Sequence, residues 1–120
     1  MANPNIVNVT EIYGNTSVTL ATTTQANIVA NAANSGKIYK INALYVANMH
    51  GTAAADVNVN FATSLNAAFS IASTVSVAAD STLVLITKDS SIYLTEGTYI
   101  QASANAVSSL HLTCSWDEIK

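Results

Sequence analysis

At 120 residues, half of them hydrophobic, the chain is long enough to bury one core without disulfides or a metal, and its single cysteine, Cys114, excludes an internal disulfide. Charged residues make up 9% of the sequence, against about 25% in an ordinary globular domain. Arginine is absent, the only cations are Lys37, Lys40, Lys88 and Lys120, and the net charge is −3, which argues against nucleic acid and against a membrane surface as partners.

The start, MANPNIVNVT, lacks the charged and apolar regions of a secretory signal, which predicts synthesis and folding in a cytoplasm. No apolar run approaches the ~20 residues that cross a bilayer. Pro4, the only proline, makes residues 1–5 a short extended arm, at most about 17 Å long. NIVNVTEIY (5–13) and TSVTLATTT (16–24) are rich in β-branched residues and read as strands, with Gly14-Asn15 as the turn between them. QANIVANA (25–32) is a short strand ended by the turn signal NSG (34–36).

KIYKINALYVANM (37–49) is the longest candidate, with Tyr39, Ile41, Ala43, Tyr45, Ala47 and Met49 forming one apolar face. HGTAA (50–54) is a loop. In DVNVNFA (56–62), Val57, Val59 and Phe61 alternate with Asn58, Asn60 and Ala62, so the strand has a polar face that is almost free of charge. AAFSIASTVSVA (67–78) sets Phe69, Ile71, Val75 and Val77 on one side. STLVLITK (81–88) is apolar on both faces, as in a central, doubly covered strand. IYL (92–94), TYIQAS (98–103) and SLHLTCSW (109–116) follow, the last with Leu110, Leu112, Cys114 and Trp116 facing in and His111 facing out.

The Ala-rich stretches are too short, and too closely bounded by Asn, Gly and Thr, for an amphipathic helix. About nine short strands at this spacing predict an all-β chain. The expected fold is a single antiparallel two-sheet β-sandwich over 1–120, jelly-roll or Ig-like, with no substantial helix.

The residues offer no constellation for catalysis. His50 and His111 have no second histidine at metal-binding spacing. Asp117 and Glu118 are adjacent, so on a strand they point to opposite faces, and Asp56, Asp80 and Asp89 fall where turns use aspartate. No nucleophile-elbow, P-loop or dinucleotide motif occurs. The reading is a non-enzyme with no catalytic residues, no cofactor and no metal. The uncharged outward face then has three explanations. It is buried in an assembly, where small neutral groups cost less to desolvate than charges; it binds a ligand such as a sugar; or it is simply solvated.

MANPNIVNVTEIYG, SGKIYKINALYVANMHGTAAADVNV, IYLTEGTYIQASANA and CSWDEIK together resemble the small virion structural proteins of tailed bacteriophages, a group commonest among phages of marine bacteria and cyanobacteria. The resemblance covers essentially the whole chain. It implies a β-sandwich present in many copies on the particle, made in the host cytoplasm, with no catalytic residues. Such proteins act as capsid decoration, or cement, proteins, commonly as homotrimers clamping neighbouring major capsid subunits. The contacts expected for such a role are Asn3, Pro4, Asn5 and Ile6 of the N-terminal segment, with His50, Gly51 and Thr52 of the loop running to Ala54, since loops at sandwich ends commonly carry binding. The alternatives are a neck, tail, baseplate or fibre component, or a carbohydrate- or host-surface-binding module.

Overall fold

Residues 10–63, 67–106 and 109–120 are described by a computed structural model. They form nine strands: β1 (Ile12–Leu20), β2 (Ala26–Ala30), β3 (Ile38–Asn48), β4 (Ala55–Ala62), β5 (Ala68–Val77), β6 (Thr82–Ile86), β7 (Ile92–Leu94), β8 (Tyr99–Ala104) and β9 (Leu110–Ile119). One 3-10 turn, Lys88–Ser90, separates β6 from β7.

The strand pairings are nested. β4 pairs with β5, β3 with both β6 and β7, β2 with β8, and β1 with β9, all antiparallel. This is the ladder of one long hairpin that folds back between β4 and β5. Two further pairings, β3 with β9 and β4 with β8, roll that ribbon into two packed sheets. Sheet A runs β1-β9-β3-β6, with β7 also beside β3, and sheet B runs β2-β8-β4-β5. Taking β6 and β7 as one interrupted strand, the order is that of a jelly roll rather than an immunoglobulin sandwich.

The core is read from the alternation within strands. Val57 and Val59 of β4, Ile100, Ala102 and Ala104 of β8, and Leu110, Leu112 and Cys114 of β9 are all buried. Each large aliphatic side chain taken fully out of water contributes about 1.5–3 kcal/mol. On β8 the alanines sit beside Val57 and Val59 in register, so small residues complement larger ones across the ladder. Asn58 and Asn60 point out of sheet B, among Ser103, Gln101 and Asn27, and the Gln101 amide donates to Asn27 Oδ1 at 3.2 Å.

Four sequence expectations are corrected. Gly14 and Asn15 make no turn. They lie inside β1, opposite Asp117 and Trp116, because pairing with the long β9 overrides a local turn signal. The face of β3 does not run through all the odd positions. The β3–β9 register shifts between Ile41 and Ala43, and this bulge at Asn42 moves the inward side from Ile41 to Leu44 and Val46, leaving Tyr45 exposed. β6 is an edge strand, not a central one: Leu83, Leu85 and Ile86 face the core while Val84 faces out. Phe69 is exposed, whereas Ile71, Val75 and Val77 pack inward.

Two buried asparagines, neither singled out by the sequence, fasten loops to this frame. Asn48 Nδ2 donates to Ala53 O at 3.0 Å and Val77 O at 2.9 Å, while its Oδ1 accepts from His50 N at 2.9 Å. Asn31 Nδ2 donates to Lys37 O and Leu94 O, both at 2.9 Å, and its Oδ1 accepts from Ser35 Oγ at 2.6 Å.

Candidate interaction face

β1 is amphipathic in the wrong sense for a strand that covers a core. Asn15, Ser17 and Thr19 share the inward side with Trp116, Cys114 and Leu112 of β9, while Ile12, Val18 and Leu20 point outward. A one-residue slip of register would exchange the two sides. The chain holds the register that leaves Val18 76% exposed and Leu20 46% exposed.

The outward apolar residues of β1 continue across sheet A in rows fixed by register. Val18 stands beside Thr113, Thr113 beside Tyr45, and Tyr45 beside Val84, so one row crosses four strands. The next row is Leu20, His111, Ala47 and Thr82, and the preceding one is Thr16, Ser115 and Ala43. Tyr45 is 40% and Val84 48% exposed. A shallow groove of about 280 Å³, lined by Val18, Thr19, Leu20, His111, Leu112 and Thr113, marks the step between β1 and β9. Thr113 stands between Val18 and Tyr45, and His111 between Leu20 and Ala47, so the face sets exposed apolar side chains among small neutral polar ones.

Charge is held elsewhere. Asp117 and Lys40 share an outward row beside Tyr93, Lys37 Nζ lies 3.5 Å from Glu118, and Lys120 Nζ lies 3.2 Å from Glu11. All belong to the end of the sandwich where β1 and β3 begin and β9 finishes. The Tyr13 hydroxyl donates to Glu11 at 2.8 Å; this bond first, and Lys120 second, hold the Glu11 carboxyl below its ordinary range. Tyr39 lies at the same end, its ring 6.0 Å from Trp116, and burial raises its hydroxyl pKa, with Glu118 adding to the effect. Trp116 is half-buried against Tyr39 and offers no open stacking platform.

Of the contacts expected from sequence, Asn3, Pro4, Asn5 and Ile6 lie outside the described residues. His50, Gly51 and Thr52 are exposed in the loop between β3 and β4, next to exposed Met49. The His50 ring is engaged inside that loop, where Nδ1 accepts the backbone N–H of Ala53 at 3.0 Å and of Thr52 at 3.2 Å. His50 therefore shapes the loop, and the peptide groups and Met49 are what the loop presents. Among the described residues no group of three or more His, Cys, Asp or Glu side chains is placed to hold a metal ion. Cys114 is buried, and that burial pushes its thiol up to about 12. The outward rows of sheet A were not legible beforehand, because the phase of β3 depends on its bulge and the phase of β1 on its partner.

No protein-family model matches the chain, and no curated protein matches it. A solved structure described as "Bacillus endospore appendages form a novel family of disulfide-linked pili" superposes with a TM-score of 0.56 at 18% identity, covering 100% of this chain and 96% of that one. At that identity the likeness establishes the shared fold.

Proposed function

We propose that the chain is a non-enzymatic structural subunit that works by packing the outward face of sheet A against a protein surface, and that this surface is the outer shell of a tailed-phage capsid. The observation that carries the packing role is the inverted strand: β1 turns Val18 and Leu20 away from the core, in line with Tyr45 and Val84. The particular surface rests on the sequence resemblance to phage virion proteins. The jelly-roll order supports it only as an analogy, since that architecture recurs in viral capsid domains and also in lectins. The exposed loop at His50, Gly51 and Thr52 adjoins the same end of the face and contributes to the contact.

The mechanism is linkage. A protein that binds an assembled shell, and not its free subunits, stabilises the assembly by its own binding free energy. Repetition by symmetry multiplies weak neutral contacts. The rows themselves hold no Lys, Asp or Glu, which suits this role because ions are costly to desolvate, and the charges nearest to them are Lys40, Lys88 and Asp117, which line a groove with Ala43 and Tyr45. The decisive measurement is copy number in purified particles by quantitative mass spectrometry. Abundance comparable with the major capsid subunit supports shell decoration. A few copies per particle move the chain to the neck, tail, baseplate or fibre, and absence overturns the virion assignment.

The second reading is a self-assembling filament subunit, favoured by the full-length likeness to the pilus protein. The disulfide linkage named for that protein has no counterpart within these residues. One thiol per chain joins at most two chains, and Cys114 is buried in the core. Electron microscopy of the concentrated protein decides this reading: filaments support it, and their absence leaves decoration.

A further inference from the structure

Each sheet of the sandwich ends in two edge strands, and three of the four edges carry devices that block pairing with another chain. β6 has five residues and gives way to the turn containing Lys88 and Asp89 before β7 resumes. β5 slips register twice against β4, and Thr74 within it takes a positive φ of 50°. β2 has five residues and an irregular register around Ile28. Short strands, bulges and a lysine are the usual protections of an exposed edge.

β1 has none of them. Its nine residues run in unbroken register along β9, and from Ile12 to Leu20 there is no charge and no proline. Among the described residues, none from Ile12 to Leu20 makes a backbone hydrogen bond outside that ladder. The strand is also self-complementary about Thr16. Placed antiparallel against itself, Thr16 meets Thr16, Gly14 meets Val18 and Ile12 meets Leu20 on the outward side. Asn15 meets Ser17 and Tyr13 meets Thr19 on the inward side. Nothing lies within 4 Å of where a Gly14 Cβ would stand, which leaves room for Val18 of the second copy. No charge is opposed to another anywhere in this register.

We propose that two copies of the chain join along β1, antiparallel and centred on Thr16, so that their A sheets become one continuous sheet. The joint satisfies the free backbone groups of both edges. It also brings two Val18–Leu20 surfaces together into one larger outward face. The symmetry is two-fold and isologous, so the joint produces dimers or even-numbered assemblies, not the trimer implied by the resemblance to decoration proteins. It stands apart from the virion assignment, which can fail on copy number while the dimer survives.

The test is sedimentation velocity of the full chain, with the variants Thr16→Lys, Thr16→Cys and Val84→Cys. Residues 16 and 84 are both exposed, so these changes leave the fold intact, which circular dichroism and the melting temperature verify. The wild type is expected to be dimeric. Thr16→Lys, which sets two ammonium groups against each other, is expected to weaken the dimer about tenfold or more. Directly opposed residues in antiparallel strands have Cα atoms about 4.5–5.5 Å apart, within the span of a disulfide. Thr16→Cys therefore cross-links two copies on oxidation, while Val84→Cys, at the far edge of the same sheet, does not. A monomeric wild type, a dimer indifferent to Thr16→Lys, or cross-linking through residue 84 in place of residue 16 overturns the proposal.

Discussion

Val18→Thr separates burial within the chain from burial against a partner. The two side chains have nearly the same shape and both favour strands, so the substitution changes only a methyl for a hydroxyl. Val18 is 76% exposed in the chain, so the hydroxyl remains in water and folding stability should move by no more than about 0.5 kcal/mol. If the face is covered in the assembly, that hydroxyl loses its water with no partner supplied, at a cost of about 1–3 kcal/mol. Binding then weakens roughly 5- to 150-fold at each contact. Val57→Thr is the control: Val57 is fully buried, and the same chemistry there should cost about 1–3 kcal/mol of stability. The assays are chemical denaturation for folding, and co-sedimentation with undecorated shells, or self-association, for binding. Unchanged binding by Val18→Thr in both formats would refute the role given to sheet A. A loss of folding stability matching that of Val57→Thr would show that Val18 is already covered within the chain.

Asn48→Ala removes three hydrogen bonds, one buried and two part-buried, and should cost about 3 kcal/mol, lowering the melting temperature by roughly 10 °C. Asn48→Asp should be worse at neutral pH, because a carboxylate then faces the Ala53 and Val77 carbonyls; its native pKa is raised, so stability should return as pH falls and be lost as pH rises, read by denaturation at several pH values. Cys114 should resist thiol reagents until the chain unfolds. Its thiol, pushed up to about 12 from an ordinary 9.0, should make stability decline between those pH values, and Cys114→Val should flatten that slope in alkaline melts. Glu11, held below its usual range by Tyr13 and Lys120, contributes stability above the ordinary carboxylate pKa that is lost as pH falls through the lowered value. The amides of Glu11 and Lys120, which bond each other's carbonyls, should lose hydrogen-exchange protection in acid before the core does, and Glu11→Gln should abolish that pH dependence.

The all-β class and most strand positions were legible because alternation in 56–62 and 109–116 is local information, and Val57, Val59, Leu110, Leu112 and Cys114 are buried as it dictates. The errors arose where pairing partners decide. Gly14-Asn15 is a turn signal by residue type, yet ten residues of β9 offer a continuous edge that carries the chain straight through. The period-2 reading of 37–49 failed at Asn42, because one extra residue in a bulge inverts every later side chain. The two apolar faces of 81–88 were read as two covers. One is the core and the other is the outward Val84, and no sequence window distinguishes a second sheet from a partner molecule.

The same ambiguity bears on the candidate face. An uncharged surface has two physical origins: neutral polar groups that water solvates well, and apolar groups that water does not. Sheet B is mainly of the first kind, with Asn27, Asn58, Asn60, Gln101 and Ser103 outward and Phe69 of its edge strand as the exposed apolar exception. These polar groups hydrogen-bond to one another or to solvent at no penalty, and their presence requires no partner. Sheet A adds groups of the second kind, Val18, Leu20, Tyr45 and Val84, set among Thr16, Thr113, Ser115 and His111, with Lys40, Asp117 and the Lys120–Glu11 pair toward the opposite end and Lys88 near Tyr45. A partner that covers the rows through Val18 and Leu20 meets no Lys, Asp or Glu side chain in them, whereas one that covers the charged end must strip water from both signs. The charges therefore make the outward surface of sheet A unequal: the rows through Val18 and Leu20 are the less costly to bury, while at the other end Lys40, Asp117, Glu11 and Lys120 hold water beside the exposed Ile12 and Tyr93.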